Sequence, residues 1–112
     1  MATLTRFEDI EAWQQARVLT NMIYEISRDD RFSRDFGLRD QIRRFSSSVM
    51  SNIAEGYERS GNAEFVNFLG IAKGSAGEVR SQLYIALDQE YINEKEFREL
   101  SRLILEITRK NQ

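Results

Sequence analysis

Apolar residues recur every three or four positions along most of the chain, which is the spacing of helices that bury one face. The pattern predicts four amphipathic helices, over residues 10–27, 38–58, 63–89 and 94–109. Because short polar segments join them, consecutive helices have to run back alongside each other. We therefore predict an all-α fold, an antiparallel up-down four-helix bundle, with residues 1–112 forming one domain.

The first predicted helix has more apolar residues than one buried stripe requires. Its stripe consists of Ala12, Ala16, Leu19, Ile23 and Ile26. Further apolar residues flank that stripe at Trp13, Val18, Met22 and Tyr24. An apolar face of this width indicates a helix that contacts more than one neighbour.

The second predicted helix carries a polar residue on its buried stripe. The stripe consists of Leu38, Ile42, Phe45, Val49, Asn52 and Gly56, with Ile53 beside it. Asn52 therefore stands where an apolar residue is expected. We favour a buried amide that fixes how the helices align, because single polar residues in a helix contact often do so. The alternative is an amide that binds a ligand or a partner.

The third predicted helix combines an apolar stripe with a stripe of small residues. The apolar stripe consists of Phe65, Leu69, Ala72, Ala76, Val79, Leu83 and Ala86, and the small one of Gly70, Gly74, Gly77 and Ser81. Each glycine inside a helix costs roughly 0.5–1 kcal/mol relative to alanine. We therefore predict that another helix packs closely against these glycines. A phosphate site is disfavoured, because N–H groups in the middle of a helix are already bonded.

Residues that favour helix starts occur before three of the predicted helices. They are Asp9 for the first, Ser60 or Asn62 for the third, and Asn93, which forms a capping box with Glu96, for the fourth.

The composition excludes several kinds of chemistry. The chain has no histidine, cysteine or proline, and its formal net charge is −2. Without histidine and cysteine, the commonest general base and the usual thiol nucleophile and transition-metal ligands are missing. We therefore predict that the protein is not an enzyme and holds no metal or cofactor. The absence of cysteine, of a leader segment and of a long apolar run favours a cytoplasmic protein without membrane association.

A cluster of arginines lies between the first two predicted helices and at the start of the second. It consists of Arg28, Arg31, Arg34, Arg39, Arg43 and Arg44, and four aspartates in the same stretch leave it a net charge of +2. A mixed-charge solvated surface, or the rim of a subunit contact, is the favoured interpretation, and a surface for nucleic acid or another partner is the alternative. We expect Phe32 and Phe36, which lie among these arginines, to close the bundle end.

Three segments read together resemble a known family. They are FEDIEAWQQA (7–16), QIRRFSSSVMSNIAEGYER (41–59) and EFVNFLGIAKGSAGEVRSQL (64–83). They resemble the bacterial four-helix bundle protein family, also called the 23S rRNA-intervening-sequence proteins. The resemblance implies an up-down four-helix bundle that assembles into a closed ring, typically a homopentamer. It also extends to accessory proteins of diversity-generating retroelements, which bind a reverse transcriptase and nucleic acid. It implies no catalytic residues.

These observations favour a non-catalytic, oligomeric bundle that acts as a scaffold or interaction module. The alternative is a nucleic-acid-associated accessory factor, tied to rRNA insertions or to a retroelement. Self-association is also expected from the surplus apolar residues of the first and third helices, because large exposed apolar patches usually mark interfaces. The predicted interface consists of Trp13, Val18, Met22 and Tyr24, together with Phe68, Ile71 and Ile85 on the flank opposite the glycines.

Overall fold

Five α-helices account for most of the chain that the structure describes. The structure is a computed structural model, and it describes residues 6–59 and 61–110. A short 3-10 turn, Phe7–Asp9, precedes the helices α1 (Glu11–Ile26), α2 (Asp30–Arg34), α3 (Phe36–Glu58), α4 (Asn62–Asp88) and α5 (Glu94–Lys110). The four long helices confirm the predicted elements to within two residues at each end. The short helix α2 was not predicted, because its five residues are too few to show a period.

The four long helices form a bundle in which each has two neighbours. Helix α1 packs against α3 and α5, and α4 packs against the same two helices. Helices α1 and α4 therefore lie diagonally opposite each other. The links at residues 59–61 and 89–93 are short, so α3, α4 and α5 run in alternating directions. The described chain contains no strand, and the all-α prediction is confirmed.

The core follows the predicted stripes closely in α1 and α4 but not in α3. In α3 the buried residues include Ser46 and Ile53, whereas Phe45 and Asn52 are only partly buried. The predicted stripe advances by three residues from Ile42 to Phe45 and from Val49 to Asn52. The observed stripe advances by four residues at both places. Helix α3 contacts both α1 and α4, so its buried face is wide enough to accommodate either path. Sequence spacing alone could not choose between them.

Helices α3 and α4 approach each other closely at Gly56. A Cβ atom added to Gly56 would lie 2.7 Å from Cβ of Phe68, which is closer than real Cβ contacts. Because Phe68 Cβ is attached directly to the backbone, it cannot move without moving α4. The close approach that glycine permits is therefore present, but it is at Gly56 and not at the glycines of α4.

The segment before α3 is ordered by two aspartate caps. Asp29 accepts bonds from the N–H groups of Arg31 and Phe32 at 3.1 and 3.4 Å, and Asp35 accepts one from Leu38 at 3.3 Å. The Tyr91 hydroxyl donates to the second Asp35 oxygen at 3.0 Å, and this bond raises the pKa of Tyr91. The network fastens the α4–α5 link to the start of α3.

Phe32 and Phe36 behave differently from each other. Phe32 is fully buried and stacks on Tyr91 with the ring centroids 5.2 Å apart, so it closes the bundle end as predicted. Phe36 is 62% exposed, which contradicts the prediction for that residue. It is the first residue of α3 and points outward there, with the Arg39 guanidinium 5.0 Å from its ring centroid.

The helix starts confirm one of the predicted caps. Asn93 and Glu96 bond each other's N–H groups reciprocally, at 2.8 and 2.9 Å, which is the predicted capping box. Asp9 does not cap α1; it lies in the 3-10 turn 3.5 Å from Arg6, and Ile10 takes the cap position without a side-chain bond. Helix α4 follows Gly61, whose φ of 105° favours glycine. Asn62 is the first residue of α4 and does not cap it, and Ser60 lies outside the described residues.

Truncation of Leu83 or Ile53 to alanine should lower the free energy of unfolding by about 2–5 kcal/mol, because both side chains are fully buried. Leu69 belongs to the predicted apolar stripe of the same helix as Leu83, but its side chain is only partly buried. Leu69→Ala should therefore cost less than either of the other two variants. Urea unfolding followed by circular dichroism measures all three, and equal losses would contradict the assigned core.

Substitution of Gly56 by alanine should destabilise the fold by about 1–3 kcal/mol, because the added methyl group would overpack the α3–α4 contact. The matched control is Gly37→Ala in the same helix, where no atom lies within 4 Å of an added Cβ. The control should leave stability unchanged or raise it slightly. Thermal unfolding of both variants is the measurement, and a stable Gly56→Ala protein would be inconsistent with the close approach.

Candidate interaction surfaces

The outward side of α4 is apolar although it faces solvent. Val66 is 66% exposed, and Ile71, Tyr84 and Ile85 are each between 45% and 49% exposed. Four of the eight large apolar side chains that the described chain leaves exposed belong to this one helix. The opposite side of α4 supplies Ala72, Ala76, Val79, Leu83 and Ala86 to the core. Helix α4 therefore presents apolar side chains both to the core and to solvent, where they alternate with polar residues such as Asn67, Glu78 and Arg80.

The three glycines of α4 lie on this exposed side. No atom lies within 4 Å of a Cβ added at Gly70, Gly74 or Gly77, so no helix within the chain packs against them. The predicted close packing is therefore wrong for the single chain. The prediction that Ile71 and Ile85 lie opposite the glycines is also wrong, because all five residues are exposed and share one side of the helix. We call this side, from Val66 to Ile85, the α4 outer face.

Phe68 does not belong to the α4 outer face. Its side chain is partly buried, its Cβ is opposite Gly56, and the Arg59 guanidinium lies 5.0 Å from its ring centroid. The sequence placed it with Ile71 because the two are three residues apart and both apolar. The structure assigns it to the α3–α4 contact.

The four α1 residues predicted at an interface divide into two pairs. Val18 is 50% exposed, and Tyr24 is exposed with the Arg43 guanidinium 4.7 Å from its ring centroid. Trp13 and Met22 are partly buried and pack against the core, with Trp13 also 5.2 Å from the ring of Phe7. Helix α1 therefore offers a smaller exposed apolar surface than α4.

Most of the clustered arginines are already engaged within the chain. Arg31 donates to the Gln89 carbonyl at 3.1 Å, Arg34 pairs with Asp30 at 3.0 Å, and Arg43 donates to the Ser27 hydroxyl at 2.8 Å. The bonds of Arg31 and Arg43 join separate elements at the bundle end, whereas the Arg34–Asp30 pair lies within α2 and is exposed.

Arg39 is engaged as well. It donates to Asp40 at 2.8 Å, and this bond lowers the pKa of the Asp40 carboxyl. Arg28 and Arg44 remain, exposed and without an ion pair in the described chain. Of the six guanidinium groups, two are therefore ion-paired, two are hydrogen-bonded to neutral oxygens and two have no partner in the described chain.

Asn52 takes part in a polar contact that runs along the α3–α4 groove. Its amide donates to the Ser48 carbonyl and hydroxyl oxygens at 2.8 and 2.9 Å, and the Ser48 hydroxyl lies 3.0 Å from that of Ser75. Two turns away, Gln82 donates to Gln41 at 2.8 Å. The amide of Asn52 thus bonds to its own helix and is only partly buried, so the prediction of a buried amide that aligns the helices is not confirmed. The serine and glutamine pairs were missed, since a sequence does not show which polar residues of two helices face each other.

A cavity among the described residues lies where α1 begins and α3 meets α4. It has a volume of about 580 Å³, and Glu11, Tyr57, Arg59 and Asn62 are the polar residues that line it. Arg59 is already paired with Glu55 at 3.0 Å and lies 3.8 Å from Glu64. Glu11 and Tyr57 also have interactions of their own. The described lining contains no serine, threonine, cysteine or lysine side chain.

The described residues contain no group of three or more acidic, histidine or cysteine side chains placed to hold a metal ion. None of their helices combines the length and apolar character needed to cross a bilayer.

Comparison with known proteins gives the family. A family model described as 23S rRNA-intervening sequence protein matches residues 8–112. The chain belongs to this family. The match covers almost the whole sequence and confirms the resemblance drawn from the three segments of the first, second and third predicted helices. No curated protein matches the chain.

A solved structure shares the fold of this family member. It is the crystal structure of a protein with unknown function from the S23 ribosomal protein family of Bacteroides thetaiotaomicron VPI-5482. The two chains superpose with a TM-score of 0.81 and 23% sequence identity, over 89% of this chain and 94% of the other. At this identity the similarity shows the fold alone.

Generic duplex DNA should not bind with submicromolar affinity at physiological salt. The chain carries a net charge of −2, and four aspartates accompany the six clustered arginines, so few counterions would be released. Fluorescence polarisation with a labelled duplex, repeated over a range of salt concentrations, is the measurement. Tight binding that weakens steeply with salt and is lost in an Arg28→Glu/Arg44→Glu variant would contradict this expectation.

Proposed function

We propose that the protein is a non-catalytic, self-associating four-helix bundle that acts as a scaffold or interaction module in the cytoplasm. The observation that carries the proposal is the α4 outer face. An exposed apolar surface that extends along most of a helix usually marks a contact with another molecule. A second copy of the chain is always present at the same concentration as the first, and most soluble oligomers are built from identical subunits.

The family resemblance suggests the number of subunits. It implies a closed ring of five chains, and a ring needs two different surfaces on each chain, because head-to-tail contacts join unlike surfaces. Val18 and Tyr24 on α1 supply exposed apolar area away from α4, since α1 and α4 are diagonal in the bundle. These observations support a ring but do not fix its size.

A nucleic-acid-associated accessory role is the second candidate, and the arrangement of the arginines does not favour it. Four of the six clustered arginines are held by partners inside the chain. The net charge of −2 also opposes a general attraction to phosphate. The scaffold role needs no site beyond the exposed apolar faces.

Light scattering coupled to size exclusion at micromolar concentration tests self-association. We expect a mass five times that of the 13.1 kDa chain, or a whole multiple of that ring. Ile85→Asp should lower the mass, because it places a charge in the α4 outer face. Leu105→Asp on α5 is the matched control, since Leu105 is similarly exposed but lies on another helix.

The possible outcomes separate the parts of the proposal. A mass near 13.1 kDa for the unsubstituted protein would reject self-association altogether. A mass of two or four chains would retain self-association and exclude the five-membered ring. Loss of mass in Leu105→Asp but not in Ile85→Asp would place the interface on α5 instead.

A further inference from the structure

A groove between the end of α1 and the start of α5 combines an apolar floor with an acidic rim. The floor consists of Met22, Ile26 and Leu100, and the rim of Glu25, Glu96 and Glu99. The volume of the groove is about 240 Å³, which is below the roughly 300–1,000 Å³ of sites for small-molecule ligands. A space of this size suits one inserted side chain. We call it the α1–α5 groove.

The rim of the α1–α5 groove is open to a positive charge from outside the chain. Glu25 and Glu99 are exposed and have no ion pair among the described residues, although Lys95 and Arg102 lie one turn to either side of Glu99. Glu96 accepts one backbone N–H in the capping box. Three carboxylates around an apolar floor favour an apolar group that carries a positive charge beside it.

An exposed aromatic side chain elsewhere in the chain has these properties. Phe36 is 62% exposed at the first position of α3, and the Arg39 guanidinium lies 5.0 Å from its ring centroid. Arg39 donates through Nε to Asp40 and through Nη1 to the Ser33 carbonyl. A guanidinium has five N–H donors, so Nη2 can serve a carboxylate of another molecule while these bonds persist. The stretch 28–44 also has a net charge of +2, opposite in sign to the rim.

Phe36 and the α1–α5 groove lie at the same end of the bundle but on different parts of its surface. Helix α3 begins where α1 ends and α5 begins, because neighbouring helices run in opposite directions. Phe36 does not line the groove of its own chain. A second copy that lies alongside in the same orientation can receive it. The two surfaces are unlike, so the contact is head-to-tail and repeats from copy to copy until it closes.

We propose that Phe36 and Arg39 of one copy dock in the α1–α5 groove of the next, with the ring on the apolar floor and the guanidinium at the acidic rim. The contact rests on the self-association proposed above and supplies two unlike surfaces for it. Neither surface includes a residue of α4, so the contact is separate from the α4 outer face. Aromatic and arginine side chains that fill a pocket of the partner are the usual anchors of protein interfaces.

Photo-cross-linking from position 36 tests the contact directly. Replacing Phe36 by p-azidophenylalanine keeps the aromatic ring, and irradiation should give covalent dimers and higher multiples on a denaturing gel. Mass spectrometry should place the cross-links within residues 22–26 and 96–100. The control carries the same analogue at Leu105, which is exposed on α5 but does not line the groove, and it should not yield those cross-linked peptides. Cross-links from position 36 that fall only on other segments would overturn the proposal.

Truncation of the aromatic anchor provides a second test. Phe36→Ala should raise the concentration at which the oligomer dissociates by about 30-fold or more, which is the effect of losing an interface hot spot. The stability of the single chain should change little, because Phe36 is mostly exposed there. Leu105→Ala is the matched control and should dissociate as the unsubstituted protein does. Sedimentation velocity over a dilution series is the measurement, and unchanged dissociation of Phe36→Ala would contradict the contact.

Charge reversal tests the acidic rim. Glu99→Lys should weaken association by roughly fivefold at low salt and by less at high salt, because it places a cation against Arg39 and salt screens the repulsion. Glu58→Lys makes the same change of charge at the other end of the bundle, where Glu58 is exposed at the end of α3, and should have no such effect. Equal effects of the two variants would show that net charge and not the rim is responsible, which would overturn the placement of Arg39.

The mass of the unsubstituted protein separates this proposal from the broader one. A single-chain mass would overturn both. An oligomeric mass that persists in Phe36→Ala, without cross-links from position 36 to the groove, would overturn only the Phe36 contact and would leave the α4 outer face as the explanation of the mass. Circular dichroism of each variant checks that its helices are retained.

Discussion

The packing of α3 against α4 is the constraint on which the rest of the structure depends. Because Gly56 has no side chain, the backbones of α3 and α4 can approach until Gly56 meets Phe68. A side chain at position 56 would force the two helices apart. Polar pairs along the groove then fix how the helices align: Gln41 with Gln82, and Ser48 with Ser75. These pairs lie seven residues apart on each helix, in opposite directions. A shift of either helix along its axis would break both hydrogen bonds at once.

This alignment also determines which side of α4 is left exposed. Helix α4 directs Ala76, Val79 and Leu83 between α3 and α5, which leaves its opposite side with no neighbour in the chain. Its small core-facing alanines bring α4 close to its neighbours, while large apolar residues such as Val66 and Ile85 stand outward. In a solitary bundle, that distribution would lose much of the stabilisation that apolar burial supplies. The association between copies that we propose would bury these exposed side chains.

At the end of the bundle opposite the cavity, arginine and tyrosine side chains of the kind that often bind partners instead join the helices to one another. Arg43 connects α3 to the end of α1 through Ser27, and Arg31 connects α2 to the α4–α5 link through Gln89. Tyr91 bonds Asp35 while stacking on Phe32. A cluster of cations in a sequence therefore overstates the positive surface when backbone carbonyls and aspartates lie within reach. The formal net charge of −2 likewise indicates that the whole molecule has no surplus of positive charge.

The sequence by itself determined the helices, their order and most of the core, because the spacing of apolar residues depends only on helix geometry and on the need to bury one face. It also determined the Asn93–Glu96 capping box, which involves residues three positions apart. The tertiary structure alone decided where contacts between distant segments fall. It placed the close approach at Gly56 and not at Gly74, chose Ser46 over Phe45 for the core, and turned Phe36 outward. These outcomes depend on which faces of separate helices meet. The spacing of apolar residues within one helix does not show which face of another helix will pack against it.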